Sequence, residues 1–179
     1  MSYLRDYQEV CCDKVTSALS NGSASTLMVM PTGTGKTETF LDIADRWPQG
    51  NVLVLAHREE LIWQPWERWQ QKTGERGEIE MGDFRRSTRP KSKLTFASKD
   101  SLYREKRLHR AFPDPMEVGL IIIDEAHHAV RQNKTYQRIL DYFSVNPDLR
   151  IMGATATPDR TDEQALGQTF ESVAFDYPL

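Results

Sequence analysis

Met30-Pro31-Thr32-Gly33-Thr34-Gly35-Lys36-Thr37 is the stretch that decides the fold, because it joins a short apolar run to a helix-like segment. The run from Thr26 to Met30 has the length of a strand, and the helix-like segment extends from Lys36 to Trp47. Between them, Gly33 and Gly35 allow backbone amides to turn inward around phosphate oxygens, and a helix N-terminus adds a favourable dipole. The stretch therefore predicts a phosphate-binding loop.

The residues of this loop have distinct expected roles. We expect Lys36 to reach the outer phosphates of a nucleotide and Thr37 to hold Mg²⁺. The backbone that surrounds the phosphates comes from Thr32, Gly33, Thr34 and Gly35. The usual pattern begins with Gly or Ala, whereas this chain has Met30 at that position. A glycine-rich turn that merely connects strand to helix is the alternative, but the Gly-Lys-Thr ending favours phosphate binding.

Short apolar runs and helix-like stretches alternate along the rest of the chain. The further strand candidates are Val52 to Ala56, Leu94 to Ala97, Leu120 to Ile123 and Leu149 to Met152, with an edge strand near Glu78 to Met81. The helix candidates are Tyr7 to Leu19, Glu59 to Gln71, Asp100 to Ala111 and Tyr136 to Phe143. This alternation predicts one α/β domain over residues 1–179, a three-layer sandwich whose mainly parallel sheet has helices on both faces.

An acidic pair directly follows one strand candidate. The apolar run Leu120 to Ile123 leads into Asp124-Glu125-Ala126-His127. Open parallel sheets bind ligands at the carboxyl ends of their strands. Asp124, with Thr37 and phosphate oxygens, is a sufficient anchor for Mg²⁺, and Glu125 can orient or deprotonate an attacking water. Polar residues that simply close a strand would not explain this pair together with the loop.

His127 and His128 beside the carboxylates raise the alternative of a zinc site. The segment has no Cys partner and no pair of histidines at i and i+4 of a helix, so zinc is disfavoured. Cys11 and Cys12 are adjacent in a helical pattern, which suits neither a disulfide nor a metal cage. We expect them to pack as small apolar residues.

Composition limits the classes of partner. With 39% hydrophobic and 27% charged residues, the 179-residue chain has the composition of a globular protein. Its formal net charge of −3 provides no overall positive field, so any contact with nucleic acid must be local. No apolar run approaches the ~20 residues that span a bilayer, and the amino terminus has no secretion signal. We therefore expect a cytoplasmic protein.

Two further segments complete a set of motifs: Leu4-Arg5-Asp6-Tyr7-Gln8 precedes the loop, and Gly153-Ala154-Thr155-Ala156-Thr157-Pro158-Asp159-Arg160 follows the last strand candidate. Together with Thr34 to Thr37 and Asp124 to His127, they resemble superfamily 2 helicases of the DEAH type over nearly the whole chain and in the correct order. Within that family, the chain is most similar to the group that includes the DNA-repair helicase RadD and the motor subunits of restriction enzymes. The resemblance implies a RecA-like fold, with ATP and Mg²⁺ as cofactors.

The same resemblance implies roles for residues outside the loop and the acidic pair. Gln8 would read the adenine edge with Arg5 against the base, which predicts ATP over GTP. Thr155 and Thr157 would link the nucleotide site to the nucleic-acid site through His127. Hydroxyl groups that only cap a strand end are the alternative.

Four residues fall where the family contacts the nucleic-acid backbone: His57, Arg58, Ser98 and Ser101. Such contacts carry no base-sequence information, so binding of DNA or RNA should be sequence-independent and salt-sensitive. The basic residues of 85–93 and 104–110 either extend this track or form a solvated face. Trp63, Trp66 and Trp69 either offer stacking surfaces or pack against the sheet.

The segment from Phe170 to Leu179 resembles the linker into a second RecA-like lobe, and we expect no second lobe within these 179 residues. The resemblance implies that an arginine from a second lobe stabilises the transition state, so this lobe, which we expect to be a monomer, should hydrolyse ATP poorly alone. A nucleotide-gated binding module without turnover is the alternative function, and Glu125 argues against it. A small-molecule kinase is a third possibility, which the segments around Gln8 and Thr155 disfavour.

Overall fold

The computed structural model describes residues 3–131, 133–156 and 160–177. Within these residues, seven strands form one sheet with the order β3-β4-β2-β5-β6-β1-β7, and every strand pairing is parallel. The strands are β1 (Ser25–Val29), β2 (Asn51–Ala56), β3 (Glu78–Glu80), β4 (Leu94–Ser98), β5 (Val118–Asp124), β6 (Arg150–Thr155) and β7 (Ser172–Asp176). The predicted α/β fold with a parallel sheet is confirmed.

The helices of the described residues cover both faces of the sheet. They are α1 (Asp6–Ser20), α2 (Lys36–Arg46), α3 (Glu60–Thr73), α4 (Lys99–Leu102), α5 (Glu105–Ala111), α6 (Ala126–Arg131), α7 (Asn133–Phe143) and α8 (Arg160–Thr169), with a 3-10 turn at Pro115–Glu117. Helices α1 to α3 pack on one face and α4 to α8 on the other. No helix of the described residues is long and apolar enough to cross a membrane.

Alternate residues of the central strands enter the two cores. In β2, Val52 and Val54 join the core under α1 to α3, whereas Leu53 and Leu55 join the core on the other face. Both faces are apolar because parallel sheets are covered on both sides, and side chains of a strand point alternately to each side. This explains why the strands read as continuous apolar runs.

The position of β6 between β5 and β1 brings the sequence motifs together at the end of the sheet where the strands have their carboxyl ends. In the strand register, Asp124 is opposite Ala154, and Val29 is opposite Thr155. The chain then leaves β1 with the Met30 amide donating to the Thr155 carbonyl, at 2.9 Å. Since all strands run in the same direction, the loops after β1, β2, β4, β5 and β6 all lie at this carboxyl end of the sheet.

Gly153 allows the helices on one face to approach β6 closely. A Cβ atom at this position would lie 2.6 Å from the Phe170 ring and 2.9 Å from the Ala126 Cβ. Both contacts are shorter than real Cβ contacts, so a side chain would push α6 away from the sheet. The glycine therefore keeps the helix after the acidic pair close to the strand that carries Thr155.

Several elements differ from the sequence predictions. The single helix predicted from Asp100 to Ala111 is two helices, because the backbone at Arg104 is extended (φ −74°, ψ 111°) and starts α5 in a new direction. Helix α8 was not predicted, since its sequence is largely polar and gives a weak period. The segment predicted as a linker contains β7, which pairs with β1 at the edge of the sheet.

The predicted basic track contains arginines that hold the fold together. Glu80 is fully buried, and its carboxylate pairs with Arg107 at 2.5 Å and with Arg110 at 2.6 Å. Arg86 is also buried, where it pairs with Glu117 at 3.0 Å and stacks over the Phe112 ring. We call Glu80, Arg86, Arg107 and Arg110 the buried arginine cluster. Arg86 and Arg107 are therefore neither a nucleic-acid track nor a solvated face, and half-buried Arg110 is paired with Glu80.

The tryptophans of α3 and the cysteines of α1 also serve packing. Trp69 is buried, and the Trp66 ring nitrogen donates to the Gly77 carbonyl at 2.7 Å. Trp63 packs edge-on against Phe84. Cys11 and Cys12 are free thiols in the core, as predicted, and burial raises the pKa of Cys12 to about 12.

The buried arginine cluster predicts a large cost for removing its carboxylate. Glu80→Ala would leave Arg107 buried and unpaired, so we expect the free energy of unfolding to fall by about 3 kcal/mol. Urea unfolding followed by circular dichroism measures this difference. Glu105→Ala is the matched control, because its contact with Arg138 is exposed and spans 3.9 Å. Equal stabilities of the two variants would contradict the structural role of the cluster.

Candidate active site

The glycine loop after β1 adopts the backbone that its sequence requires. Gly33 and Gly35 have φ values of 85° and 84°, in the left-handed region that residues with a side chain rarely adopt. Gly35 is also the N-cap of α2, so the helix begins directly at Lys36. Thr32 and Gly33 are exposed, and the space around a Cβ at Gly33 is open. The loop thus presents an accessible backbone at a helix N-terminus, where anions bind.

The start of α1 is tied to this loop. The Tyr7 hydroxyl donates to the Thr34 carbonyl at 2.7 Å, and the Gln8 Nε2 donates to the same oxygen at 3.1 Å. The Gln8 Oε1 accepts from the Arg5 amide at 2.7 Å, which caps the helix. Both polar ends of the Gln8 amide are therefore engaged within the chain, and its contact with adenine stays a prediction.

Tyr7 is a site residue that the sequence reasoning missed. Its ring packs edge-on against Tyr177, with 5.0 Å between ring centroids, while its hydroxyl contacts the loop. The residue lies next to Gln8 in the Leu4 to Gln8 motif, which was the available signal. Tyr7 therefore connects the glycine loop to the end of β7.

Lys36 lies between the two carboxylates that follow β5. Its Nζ donates to the Glu125 Oε1 and lies 3.5 Å from the Asp124 Oδ1. Asp124 is buried, and this burial raises the pKa of its carboxyl group, although the Lys36 charge opposes the shift. The Glu125 amide also donates to the Asp124 Oδ1 at 2.9 Å. The structure thus brings together the three residues predicted to be catalytic.

Glu125 has an unusual backbone conformation. Its φ of 50° makes it the non-glycine residue with positive φ among the described residues. Such a conformation costs energy and persists where the surrounding structure fixes it, often at functional sites. Here the turn lets the chain leave β5 and enter α6 at once, which places the Glu125 carboxylate beside Lys36.

The donors at this site fit a hard divalent cation. Asp124 offers a buried carboxylate and Thr37 offers a hydroxyl, and Mg²⁺ prefers oxygen ligands. Among the described residues, no group of three or more His, Cys, Asp or Glu side chains is arranged to hold a metal. Mg²⁺ commonly takes its remaining ligands from water and phosphate, so Asp124 and Thr37 are a sufficient protein contribution.

A second contact links the acidic segment to β6. The His127 Nδ1 lies 2.8 Å from the Thr155 Oγ1 and 3.6 Å from the Glu125 Oε2. Thr155 is fully buried, so its hydroxyl is held in place. The predicted neighbour in the same motif, Thr157, lies outside the described residues. The structure therefore joins His127 to Thr155, and their role in linking the two sites stays a prediction.

The predicted nucleic-acid residues differ in accessibility. Arg58 is exposed and His57 is half-buried, and both line a cavity of about 310 Å³ that Glu125 and His128 also border. Ser98 is half-buried. Ser101 is buried, and its hydroxyl accepts from the Gly82 amide at 3.3 Å. Arg58 and His57 therefore border the same cavity as Glu125 of the acidic pair.

The parallel sheet, the glycine loop after β1 and the acidic pair after β5 define the class of this protein as a RecA-like lobe of the superfamily 2 helicase type. The chain belongs to the family described as the Type III restriction enzyme, res subunit, whose family model matches residues 2–160. The narrower grouping with RadD stays a prediction.

Relatives and solved structures agree with this assignment. The chain is 32% identical to IRC3 of Saccharomyces cerevisiae, named as a candidate ATP-dependent helicase, over 96% of this chain and 26% of that protein. It is also 32% identical to the Type I restriction enzyme EcoAI endonuclease subunit of Escherichia coli, over 98% of this chain and 22% of the relative. The Hef helicase domain of Pyrococcus furiosus matches with a TM-score of 0.72 and 25% identity, over 96% of this chain and 38% of that one.

The close approach of Gln8 to the loop predicts that Gly35 tolerates no side chain. A Cβ on Gly35 would lie 2.1 Å from the Gln8 Nε2, at a φ that disfavours any other residue. We expect Gly35→Ala to weaken binding of a fluorescent ATP analogue by about tenfold or more. Gly22→Ala is the matched control, because Gly22 also has positive φ but lies in open space. Unchanged affinity in Gly35→Ala would show that loop geometry does not govern binding.

The raised pKa of Asp124 predicts a pH dependence of stability. The folded protein holds the Asp124 proton more tightly than the unfolded chain, whose carboxyl has the ordinary value of 3.8. The stabilisation that comes from this tighter proton binding is complete below pH 3.8, and it is lost as the pH rises through the pKa of the folded state. We therefore expect wild type to lose stability relative to Asp124→Asn as the pH rises above about 4. Urea unfolding at several pH values measures the difference.

The exposed Asp141 provides the control for this pH series. Asp141→Asn removes a carboxylate of the same kind from α7 without changing the buried site. Its stability should follow the pH dependence of wild type. A difference between wild type and Asp124→Asn that does not vary with pH would contradict the buried-carboxylate argument.

Proposed function

We propose that this chain is the ATP-binding lobe of an ATP-dependent helicase or translocase that acts on nucleic acid, with DNA as the expected substrate. The observation that carries the proposal is the convergence of Lys36, Asp124 and Glu125 beside the glycine loop. The helicase names of relatives support the activity. A structural neighbour, the restriction-modification enzyme LlaGI, was solved with a DNA substrate mimic (TM-score 0.63, 20% identity, 98% of this chain and 20% of that one), which favours DNA.

Binding of ATP requires Lys36 to exchange its partners. In the structure its ammonium group pairs with Glu125 and lies close to Asp124. Phosphate oxygens in the glycine loop would draw the ammonium group toward the outer phosphates, because a triphosphate carries more negative charge than one carboxylate. The Glu125 carboxylate is then released to orient or deprotonate the attacking water. Nucleotide binding and the release of Glu125 as a general base would thus be one event.

Magnesium would be held by Asp124 and Thr37, and it would neutralise charge on the phosphates. The buried carboxylate of Asp124 is suited to this because a bound cation compensates the charge that burial makes costly. On the other side of the acidic pair, His127 and Thr155 would link the state of the nucleotide to the nucleic-acid site. Arg5 and Gln8 would contact the adenine base.

Nucleic acid would bind at the same carboxyl end of the sheet through its backbone. His57 and Arg58 directly follow β2, Ser98 is the last residue of β4, and Ser101 lies in the helix that follows β4. Because the buried arginine cluster is engaged inside the fold, the positive charge for this contact comes mainly from exposed residues such as Arg58. Binding through these contacts would be sequence-independent and would weaken with salt.

Rapid hydrolysis would require a second RecA-like lobe, from the same protein or another chain. The site lies along one edge of the lobe, where a partner can approach the phosphates. The chain spans only 26% of the length of IRC3, which leaves room for such a lobe in that relative. An arginine supplied from it would stabilise the charge of the transition state.

The rate of ATP hydrolysis tests this proposal. Turnover would be measured for this chain and for a version extended through a second lobe, with and without single-stranded DNA or RNA. We expect strong stimulation only in the extended protein, and Glu125→Gln should lower its turnover about a hundredfold or more without loss of ATP binding. Near wild-type turnover in Glu125→Gln would make the catalytic assignment wrong.

Two variants serve as controls for this measurement. Lys36→Ala should lose nucleotide binding, whereas Glu163→Gln changes an exposed carboxylate of α8 and should have no effect. ATP binding without any stimulation in the extended protein would instead support a nucleotide-gated binding module.

A further inference from the structure

Three of the four histidines of the chain form a continuous stack beside the acidic pair. The ring centroids of His57 and His128 are 4.0 Å apart, and those of His128 and His127 are 4.3 Å apart. The two ring pairs are tilted by 39° and 40°. We call these residues the histidine stack. It connects the end of β2 with the first turn of α6 through side chains alone.

His57 depends on this stack for its position. Both of its ring nitrogens are buried, and neither has a hydrogen-bond partner in the described part of the chain. The charged and titratable groups that face it are Arg58, Glu125, His127 and His128. Burial, followed by the influence of His128 and Arg58, lowers the pKa of His57 to about 4, so the ring is neutral at neutral pH. Packing against His128, rather than hydrogen bonding, therefore orients it.

The other end of the stack reaches the proposed hydrolytic residues. His127 contacts the Thr155 hydroxyl and lies near the Glu125 carboxylate. The His128 amide donates to the Glu125 carbonyl at 2.9 Å, so the backbone of both residues belongs to the same turn. Glu125 itself holds a left-handed backbone conformation. A displacement of the His128 ring would therefore also displace His127 and the turn that positions Glu125.

We propose that His57 and His128 are positioning residues. When a nucleic-acid backbone binds at His57 and Arg58, directly after β2, the histidine stack transmits this binding to His127 and Glu125. The inference rests on the proposed function, in which Arg58 and His57 contact a nucleic-acid backbone. The cavity bordered by His57, Arg58, Glu125 and His128 makes the connection direct, because a phosphate held by Arg58 there lies against the stack. Closely packed rings cannot shift independently, so movement of His57 displaces His128 and then His127.

The four imidazole side chains can be observed separately by NMR. His109 is a built-in reference, because it is exposed and stacks on Tyr142, away from the site. The protein would be labelled with ¹⁵N, and its imidazole signals followed while a twelve-residue oligothymidylate is added. Fluorescence anisotropy of the same oligonucleotide would establish the concentration at which it is bound. We expect shifts at His57, His128 and His127 and none at His109.

Substitutions at His128 distinguish transmission from direct contact. In His128→Ala we expect the oligonucleotide to shift His57 but no longer His127. His128→Phe keeps a ring at the centre of the stack and should restore the response of His127. His109→Ala, which removes a stacked histidine elsewhere, should leave the response of wild type unchanged. The unchanged signal of His109 in each site variant verifies that the fold is intact.

Each outcome decides between the inference and the function on which it rests. An equal His127 shift in wild type and His128→Ala overturns the inference, as does a bound oligonucleotide that shifts none of the three stacked histidines. A complete lack of oligonucleotide binding in the anisotropy measurement contradicts the proposed nucleic-acid function itself.

Discussion

The parallel pairing of β6 with both β5 and β1 is the constraint on which the site depends. This register puts Asp124 and Thr155 on neighbouring strands and lets the Met30 amide bind the Thr155 carbonyl. The loop that approaches phosphate and the carboxylates that approach metal are therefore separated by a single strand. Gly153 keeps α6 close to that strand, so the fold determines the distance between the groups before any ligand binds.

The electrostatics of the site follow from this geometry. A buried carboxylate is costly, and Lys36 lies close enough to offset part of the charge of buried Asp124 while it also pairs with half-buried Glu125. The lysine thus has two alternative partners, acidic side chains or phosphates. The burial of Asp124 and the left-handed backbone of Glu125 both lower the free energy of unfolding. Such costs are common where a site is organised before its ligand binds.

The sequence predicted those features that local pattern controls. The glycine loop, the acidic pair and five apolar strands were located because their residues occur in a short and ordered stretch. The pairing of Lys36 with Glu125 was not foreseen, since it joins residues 89 positions apart and depends on the strand order. Likewise, β7 was missed because an edge strand with exposed Val173 lacks a continuous apolar run. Neither alternative for the basic residues of 85–93 describes Arg86, because residue type alone does not distinguish a surface arginine from a buried one.

The buried arginine cluster has a consequence for how this region can change between relatives. Glu80 lies on β3, while Arg86 lies in the following loop and Arg107 and Arg110 lie on α5. Loss of Glu80 would leave Arg107 without a carboxylate partner in the interior, so changes at these positions should occur together. A chimera that exchanges this loop with that of another family member must therefore carry β3 and α5 with it.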